Sequence, residues 1–137
     1  MSTDDKRKVL GEVIGVVVEG DHRGRRLGYP TANVLVDPGC TLANDGIYAG
    51  RVERSDGTVY DAAISIGTRP TYYQNGGTRV LEAYLLSFEG DLYGERVRVE
   101  CEAFVRSQRA FTSDEELTAQ IGADIEEVRQ HASKRLQ

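Results

Sequence analysis

Two oxygen-bearing side chains, those of Thr31 and Asn33, follow Pro30 with one residue between them. Because successive side chains of an extended segment point to opposite faces, the Thr31 hydroxyl and the Asn33 amide should project to the same side. Such oxygens suit a hard cation such as Mg²⁺, which usually shares its oxygen ligands with phosphate groups. The pair therefore predicts a metal and phosphate site. The alternative is ordinary turn and strand chemistry after a proline, where Thr is favoured and Asn is tolerated.

A basic, glycine-rich run precedes this pair, since residues 20–29 have the sequence GDHRGRRLGY. Consecutive backbone amides of such a segment can form a concave nest for phosphate oxygens, and Arg23 and Arg25 add positive charge. The run lacks the GxxxxGK[ST] pattern, so an ordinary P-loop is excluded. The alternative is a solvent-exposed hairpin loop whose arginines have no ligand.

Glu82 is the candidate general base. It stands alone among apolar residues in the segment VLEAYLL, residues 80–86. A lone carboxylate in an apolar strand is expected to be partly desolvated, which suits a base that accepts a proton from a hydroxyl. The alternative is a charged residue on the solvent-exposed face of an edge strand, where it protects against aggregation.

The segments around these residues are mostly β. β-Branched and aromatic composition predicts strands over residues 13–19, 46–53, 59–66, 80–88 and 96–105. Turn residues separate them, and short turns favour antiparallel neighbours. Only after Phe111 does the apolar spacing become helical, with Leu117, Ile121, Ile125 and Val128 on one face.

The helical segment carries its own start and stop signals. Ser113 and Glu116 form a capping box at its beginning. Gly122 is expected to divide it into two short helices, with Asp124 capping the second. Several antiparallel strands with helix confined to one end predict a closed or nearly closed β-barrel with a C-terminal helical flap.

Length and composition limit the class of protein. The 137 residues fit one domain, which we place at residues 9–137 behind a disordered polar arm of residues 1–8. A formal charge of -5 argues against general affinity for nucleic acid or anionic membranes.

Cys40 and Cys101 lack metal-site neighbours and are expected to be reduced, buried thiols. No apolar run is long enough to span a bilayer, so we expect a cytoplasmic protein. No heptad or large apolar stripe demands a partner, so we expect a monomer.

Several motifs together resemble the riboflavin kinase (flavokinase) family. They are G-x-x-RGR-x-LG-x-PTAN at residues 20–33, GIYA at 46–49, IGTRPT at 66–71, Leu81-Glu82, DLYG at 91–94 and the segment 106–111. The resemblance runs from about Val13 to Val128. It implies a six-stranded antiparallel Greek-key β-barrel. It also implies transfer of the ATP γ-phosphate to the 5′-hydroxyl of riboflavin, giving FMN and ADP.

The resemblance also assigns roles. It implies that Glu82 is the catalytic base, that Thr31 and Asn33 hold Mg²⁺, and that riboflavin/FMN and ATP/ADP are the partners. Residues implied to bind ATP are Gly20, Arg23, Gly24, Arg25, Gly28, Pro30, Thr31 and Tyr93. Residues implied to bind riboflavin are Arg106, Phe111 and Leu117, the last two of which could equally be core residues anchoring the helix. This module also occurs within bifunctional bacterial FAD synthetases, whose adenylyltransferase half has no counterpart here, so we expect no FAD synthesis.

The chain departs from the family pattern at three positions. Tyr84 replaces a common histidine, Ser87 a frequent aspartate, and Gln108 a usual glutamate. Lost hydrogen bonds near a pocket cost about 1–3 kcal/mol each, so binding of riboflavin or nucleotide is expected to be weakened or retuned. Two alternatives follow: a non-catalytic flavin-binding or regulatory module with the same barrel, and a kinase for a different flavin analogue.

Overall fold

The computed structural model describes residues 9–19, 27–69 and 78–135. Within them, six strands and one helix follow in the order β1 Gly11–Val18, β2 Ala32–Val36, β3 Gly46–Glu53, β4 Val59–Arg69, β5 Thr78–Leu85, β6 Arg96–Arg106 and α1 Asp114–Arg135. The strands close into an antiparallel barrel in the order β1-β2-β5-β4-β3-β6. Neighbours β6, β3, β4 and β5 have the Greek-key order. The predicted six-stranded barrel is confirmed.

Nearly every strand alternates between an apolar inner face and a mixed outer face, as strands of a closed barrel do. On β5, Leu81, Ala83 and Leu85 point inward and are buried, whereas Glu82 and Tyr84 are half-buried on the outer face. The inner residues of all six strands form one core cluster that includes Val13, Val34, Val52, Ile64, Leu81 and Val99. Every outward residue is thereby fixed in direction, including the candidate base.

Two inward-facing glycines allow neighbouring strands to approach closely. A Cβ on Gly50 would lie 1.8 Å from the carbonyl oxygen of Glu100, and one on Gly15 would lie 2.3 Å from that of Leu35. Opposite β3, the strand β6 has register irregularities at Ile47/Tyr48 and Ala49/Gly50. Bulges of this kind bend the strand and let a small barrel curve tightly.

Helix α1 packs against the outer face of β3, β4 and β6. Ile125 and Val128 are buried there against Ala49 and Leu86 in a second apolar cluster. The predicted cap is confirmed, since the Glu116 backbone amide donates to Ser113 Oγ at 3.0 Å.

The predicted break at Gly122 is wrong, because α1 is continuous through that residue. Asp124 caps no second helix. Its carboxylate instead accepts hydrogen bonds from Arg106 at the end of β6. Burial of one apolar helix face against the barrel outweighs the ~1 kcal/mol that an interior glycine costs.

The remaining predictions concern β2, the N-terminal arm, the two cysteines and membrane-spanning segments. β2 was not predicted as a strand of its own, although Thr31–Asn33 was predicted to be extended, and the residues of the predicted arm, 1–8, lie outside the described part of the chain. Cys101 is buried as expected, whereas Cys40 is only half-buried, and both thiols are free. The one helix among the described residues has neither the length nor the apolar character needed to cross a membrane.

Candidate active site

Thr31, Asn33 and Glu82 meet on the outer face of the barrel where β2 pairs with β5. The Thr31 hydroxyl donates a hydrogen bond to Glu82 Oε1 at 3.2 Å. Asn33 is the direct cross-strand partner of Glu82, so the two side chains leave the sheet on the same face. Residues 51 positions apart in the chain thus form one oxygen-rich patch.

Two cavities meet at this patch. The first has a volume of about 750 Å³ and extends from Thr31 and Glu82 over β4 to the loop after β6 and the first turns of α1. The second, of about 790 Å³, extends from Thr31 and Asn33 along β1 to the loop before β6. Thr31 and Tyr84 line both. Each cavity is of the size that holds a drug-sized ligand, so the patch lies between two ligand-sized spaces.

The residues predicted to bind nucleotide are partly brought together. Pro30, Thr31 and Tyr93 line the second cavity beside Asn33. Gly28 adopts a left-handed backbone with φ 92° and is not among the lining residues of either cavity. The remaining predicted members, Gly20, Arg23, Gly24 and Arg25, lie outside the described residues.

The residues predicted to bind riboflavin all line the first cavity, together with Glu82. These are Arg106, Phe111 and Leu117. Arg106 Nε and Nη2 donate to the Asp124 carboxylate at 2.9 and 2.8 Å, and Nη1 donates to the Ser107 carbonyl at 3.0 Å. Its guanidinium also lies 5.7 Å from the centre of the Phe111 ring. Because these donors are engaged, Arg106 mainly fastens this wall of the cavity to α1.

Two aromatic residues that line the first cavity were not predicted as site residues. The Tyr29 and Tyr84 rings meet edge to face with centroids 5.6 Å apart. Tyr84 was noted only as a departure from the family pattern, yet the period of two on β5 places it on the face of Glu82, a signal present in the sequence. Tyr29 carried no comparable signal, because its partner lies on a distant strand.

The family model described as riboflavin kinase (Flavokinase) matches residues 10–132. The chain belongs to the riboflavin kinase family. It is 37% identical over 114 residues to the bifunctional riboflavin kinase/FMN adenylyltransferase of Bacillus subtilis, covering 82% of this chain and 36% of that protein. The chain therefore spans about a third of the length of this relative.

Solved structures agree with the riboflavin kinase fold. A crystal structure of a riboflavin kinase from Trypanosoma brucei aligns with a TM-score of 0.61 and 26% identity, over 90% of this chain and 80% of that one. A crystal structure described as a macrolide-efflux protein from Streptococcus pneumoniae aligns with a TM-score of 0.79 and 35% identity, over 86% of this chain and 38% of that one. Both alignments cover most of the chain.

The donor set of the patch fits a particular kind of metal binding. Nowhere in the described part of the chain do three or more His, Cys, Asp or Glu residues gather into a group that could hold an ion. Thr31 and Asn33 instead offer one hydroxyl and one amide oxygen to the second cavity, and Thr31 also lines the first. This suits Mg²⁺, which keeps several waters and is bound by few protein ligands together with substrate phosphates.

Proposed function

We propose that this chain is a riboflavin kinase, transferring the γ-phosphate of ATP to the ribityl 5′-hydroxyl of riboflavin and giving FMN and ADP. The observation that carries the proposal is the contact between Thr31 and Glu82 at the junction of two cavities. A kinase for a small alcohol needs this arrangement, because donor and acceptor must approach along one line with a base beside the attacking oxygen. Family membership independently supports the same reaction.

In the proposed arrangement, riboflavin occupies the first cavity and ATP the second. The flavin ring lies toward Phe111 and Leu117, and its ribityl chain runs over β4 to Glu82. Glu82 accepts the proton of the 5′-hydroxyl as its oxygen bonds to the γ-phosphorus and the bond from that phosphorus to the ADP oxygen breaks. Mg²⁺, held by Thr31, Asn33 and the phosphates, would neutralise charge on the transferred group.

The nucleotide is proposed to lie along Pro30 and Tyr93, with its phosphates reaching Thr31. Arg23 and Arg25, with the backbone of Gly20, Gly24 and Gly28, remain proposed phosphate ligands. We further propose a cytoplasmic monomer that does not bind nucleic acid. The formal charge of -5 supports the absence of nucleic-acid binding, and the free thiols support the cytoplasmic location.

The alternative of a non-catalytic flavin-binding module is less well supported. A binder needs no carboxylate beside a phosphate and metal patch, yet Glu82 is positioned there by its pairing with Asn33 and its bond to Thr31. A direct assay separates the two functions. Riboflavin, ATP and Mg²⁺ are incubated with the protein, and FMN is measured by chromatography. A protein that binds riboflavin but forms no FMN would overturn the kinase proposal.

Single substitutions test the proposed roles of Glu82 and Thr31. Glu82→Gln should lower kcat by roughly 10²- to 10⁴-fold, the usual contribution of a general base, with nucleotide affinity retained. Thr31→Ala should impair both turnover and nucleotide binding, because Thr31 lines both cavities. Glu127→Gln, on the exposed face of α1, is the matched control and should leave both unchanged. Normal turnover by Glu82→Gln would show that another group accepts the proton.

A further inference from the structure

Gln108, in the loop after β6, is held against β4 inside the first cavity. Its Nε2 donates to Ser65 Oγ at 2.8 Å and to the carbonyl oxygen of Ile66 at 3.0 Å. A carbonyl oxygen only accepts hydrogen bonds, so the amide nitrogen must face Ile66. The orientation of the Gln108 side chain is therefore set by the strand, and its Oε1 is directed away from the Ile66 carbonyl.

This amide lies close to the candidate base. Ser65 is the direct cross-strand partner of Glu82, and both side chains leave the outer face of the sheet. Neighbouring strands are about 4.7–4.9 Å apart. Ser65 is thus roughly one strand spacing from Glu82, and Gln108 is bonded to Ser65 on the side of β4. The middle of a chain whose last hydroxyl sits at Glu82 would pass this pair.

Gln108 and Ser65 together offer one acceptor and one donor. Among the described residues, none donates to Gln108 Oε1, and Ser65 Oγ accepts from Gln108, which leaves its own O–H available to donate. An alcohol both donates and accepts hydrogen bonds, so the pair complements one hydroxyl group. Gln108 is itself exposed and Ser65 is half-buried, so a bound ligand would cover both groups, and an aliphatic chain at the same place would leave them without hydrogen bonds.

We propose that Gln108 and Ser65 bind a secondary hydroxyl of the ribityl chain and so select riboflavin over flavins whose side chain lacks these hydroxyls. The inference rests on the proposed function, because it takes the 5′-hydroxyl to lie at Glu82. It makes Gln108 a specificity-determining residue. The chain carries an amide here where the family pattern usually has a glutamate, and an amide, unlike a carboxylate, can donate to the Ile66 carbonyl while presenting an acceptor to the ligand.

Gly67 provides an independent way to move Gln108. A Cβ on Gly67 would lie 3.1 Å from Gln108 Nε2 and 3.4 Å from its Cδ. Gly67→Ala should therefore shift the amide by a few tenths of an ångström and weaken its bonds to β4 without removing any polar atom. Gln108→Leu removes the acceptor at nearly constant volume. Gln130→Leu, the same exchange on the exposed face of α1, is the control.

The test compares riboflavin with a flavin carrying a 5-hydroxypentyl side chain, which keeps the reacting hydroxyl and lacks the secondary ones. The parent protein should prefer riboflavin in kcat/KM. Gln108→Leu should reduce that preference about tenfold, the equivalent of one hydrogen bond. Gly67→Ala should reduce it in the same direction, and Gln130→Leu should not change it. Equal losses of kcat/KM on both flavins, or no loss on either, would overturn the inference.

Binding measurements keep this test separate from the proposed function. Affinities for both flavins, measured by calorimetry on the parent protein and on Gln108→Leu, should show the same loss of preference without turnover. If the parent protein binds riboflavin but makes no FMN, the kinase proposal fails and the affinities still decide the role of Gln108. If FMN forms while both proteins discriminate equally, only the inference fails.

Discussion

Asp124→Asn should destabilise the protein by about 3 kcal/mol. Asp124 is 5% exposed and accepts hydrogen bonds from Arg106 Nε and Nη2 at 2.9 and 2.8 Å and from Gln120 Nε2 at 3.0 Å. Removing one partner of a buried ion pair costs about 3–5 kcal/mol, because the other charge remains buried. We take the lower end, since the Arg106 side chain is 19% exposed and keeps its bond to the Ser107 carbonyl. For a chain of this size the melting temperature should fall by roughly 10 °C.

Urea denaturation followed by circular dichroism measures this loss. A double-mutant cycle with Arg106→Met isolates the pair, and the double variant should be about 2 kcal/mol more stable than the sum of the single losses implies. The control is Glu126→Gln, which removes an exposed pair with Arg129 and should cost less than about 0.5 kcal/mol. If Asp124→Asn costs no more than this control, or the cycle shows no coupling, the reasoning that α1 is fastened through this pair is refuted.

Further stability predictions concern the barrel. Gly50→Ala should cost at least ~3 kcal/mol in urea denaturation, because its Cβ would meet the Glu100 carbonyl at 1.8 Å. Gly11→Ala, whose nearest contact would be the Ala43 methyl at 3.1 Å, should cost far less. Burial raises the pKa of the Cys101 thiol to about 12, so stability is full below the unfolded pKa near 9 and falls as pH rises toward 12. Between pH 8 and 10 the parent protein should lose about 1.4 kcal/mol more than Cys101→Ala, and equal losses would contradict the shift. Ser87 has φ 60°, so Ser87→Asn should raise stability by roughly 0.5 kcal/mol, and a lower melting temperature would contradict this.

The sequence was sufficient to predict most strands of the barrel. β-Branched and aromatic composition predicted β1, β3, β4, β5 and β6 to within a few residues at most ends. β2 was not predicted as a strand, because at 5 residues it is too short for a distinct pattern. The prediction that Gly122 breaks the helix was wrong, because helix propensity carries no information about the barrel face on which α1 packs.

For the site, motif resemblance singled out Thr31, Asn33 and Glu82 before any geometry was known. Residue types alone left each of them with an ordinary structural explanation. The pairing of β2 with β5 brings them together, and this pairing is a property of the closed barrel rather than of either segment. Tyr29 and Asp124 were missed as lining residues for the same reason, because their partners, Tyr84 and Arg106, lie on distant elements.

The sequence by itself thus determined which segments are extended, which face of each strand is apolar, and which family the motifs resemble, because these depend on neighbours in the chain. Only the tertiary structure decided that the Thr31 hydroxyl meets Glu82, that Arg106 is engaged with Asp124, and that Gln108 is held against β4 beside Ser65. Those contacts join residues between 18 and 51 positions apart. Their geometry follows from strand register and helix docking, which are set by burial of the whole core and not by any local run of residues.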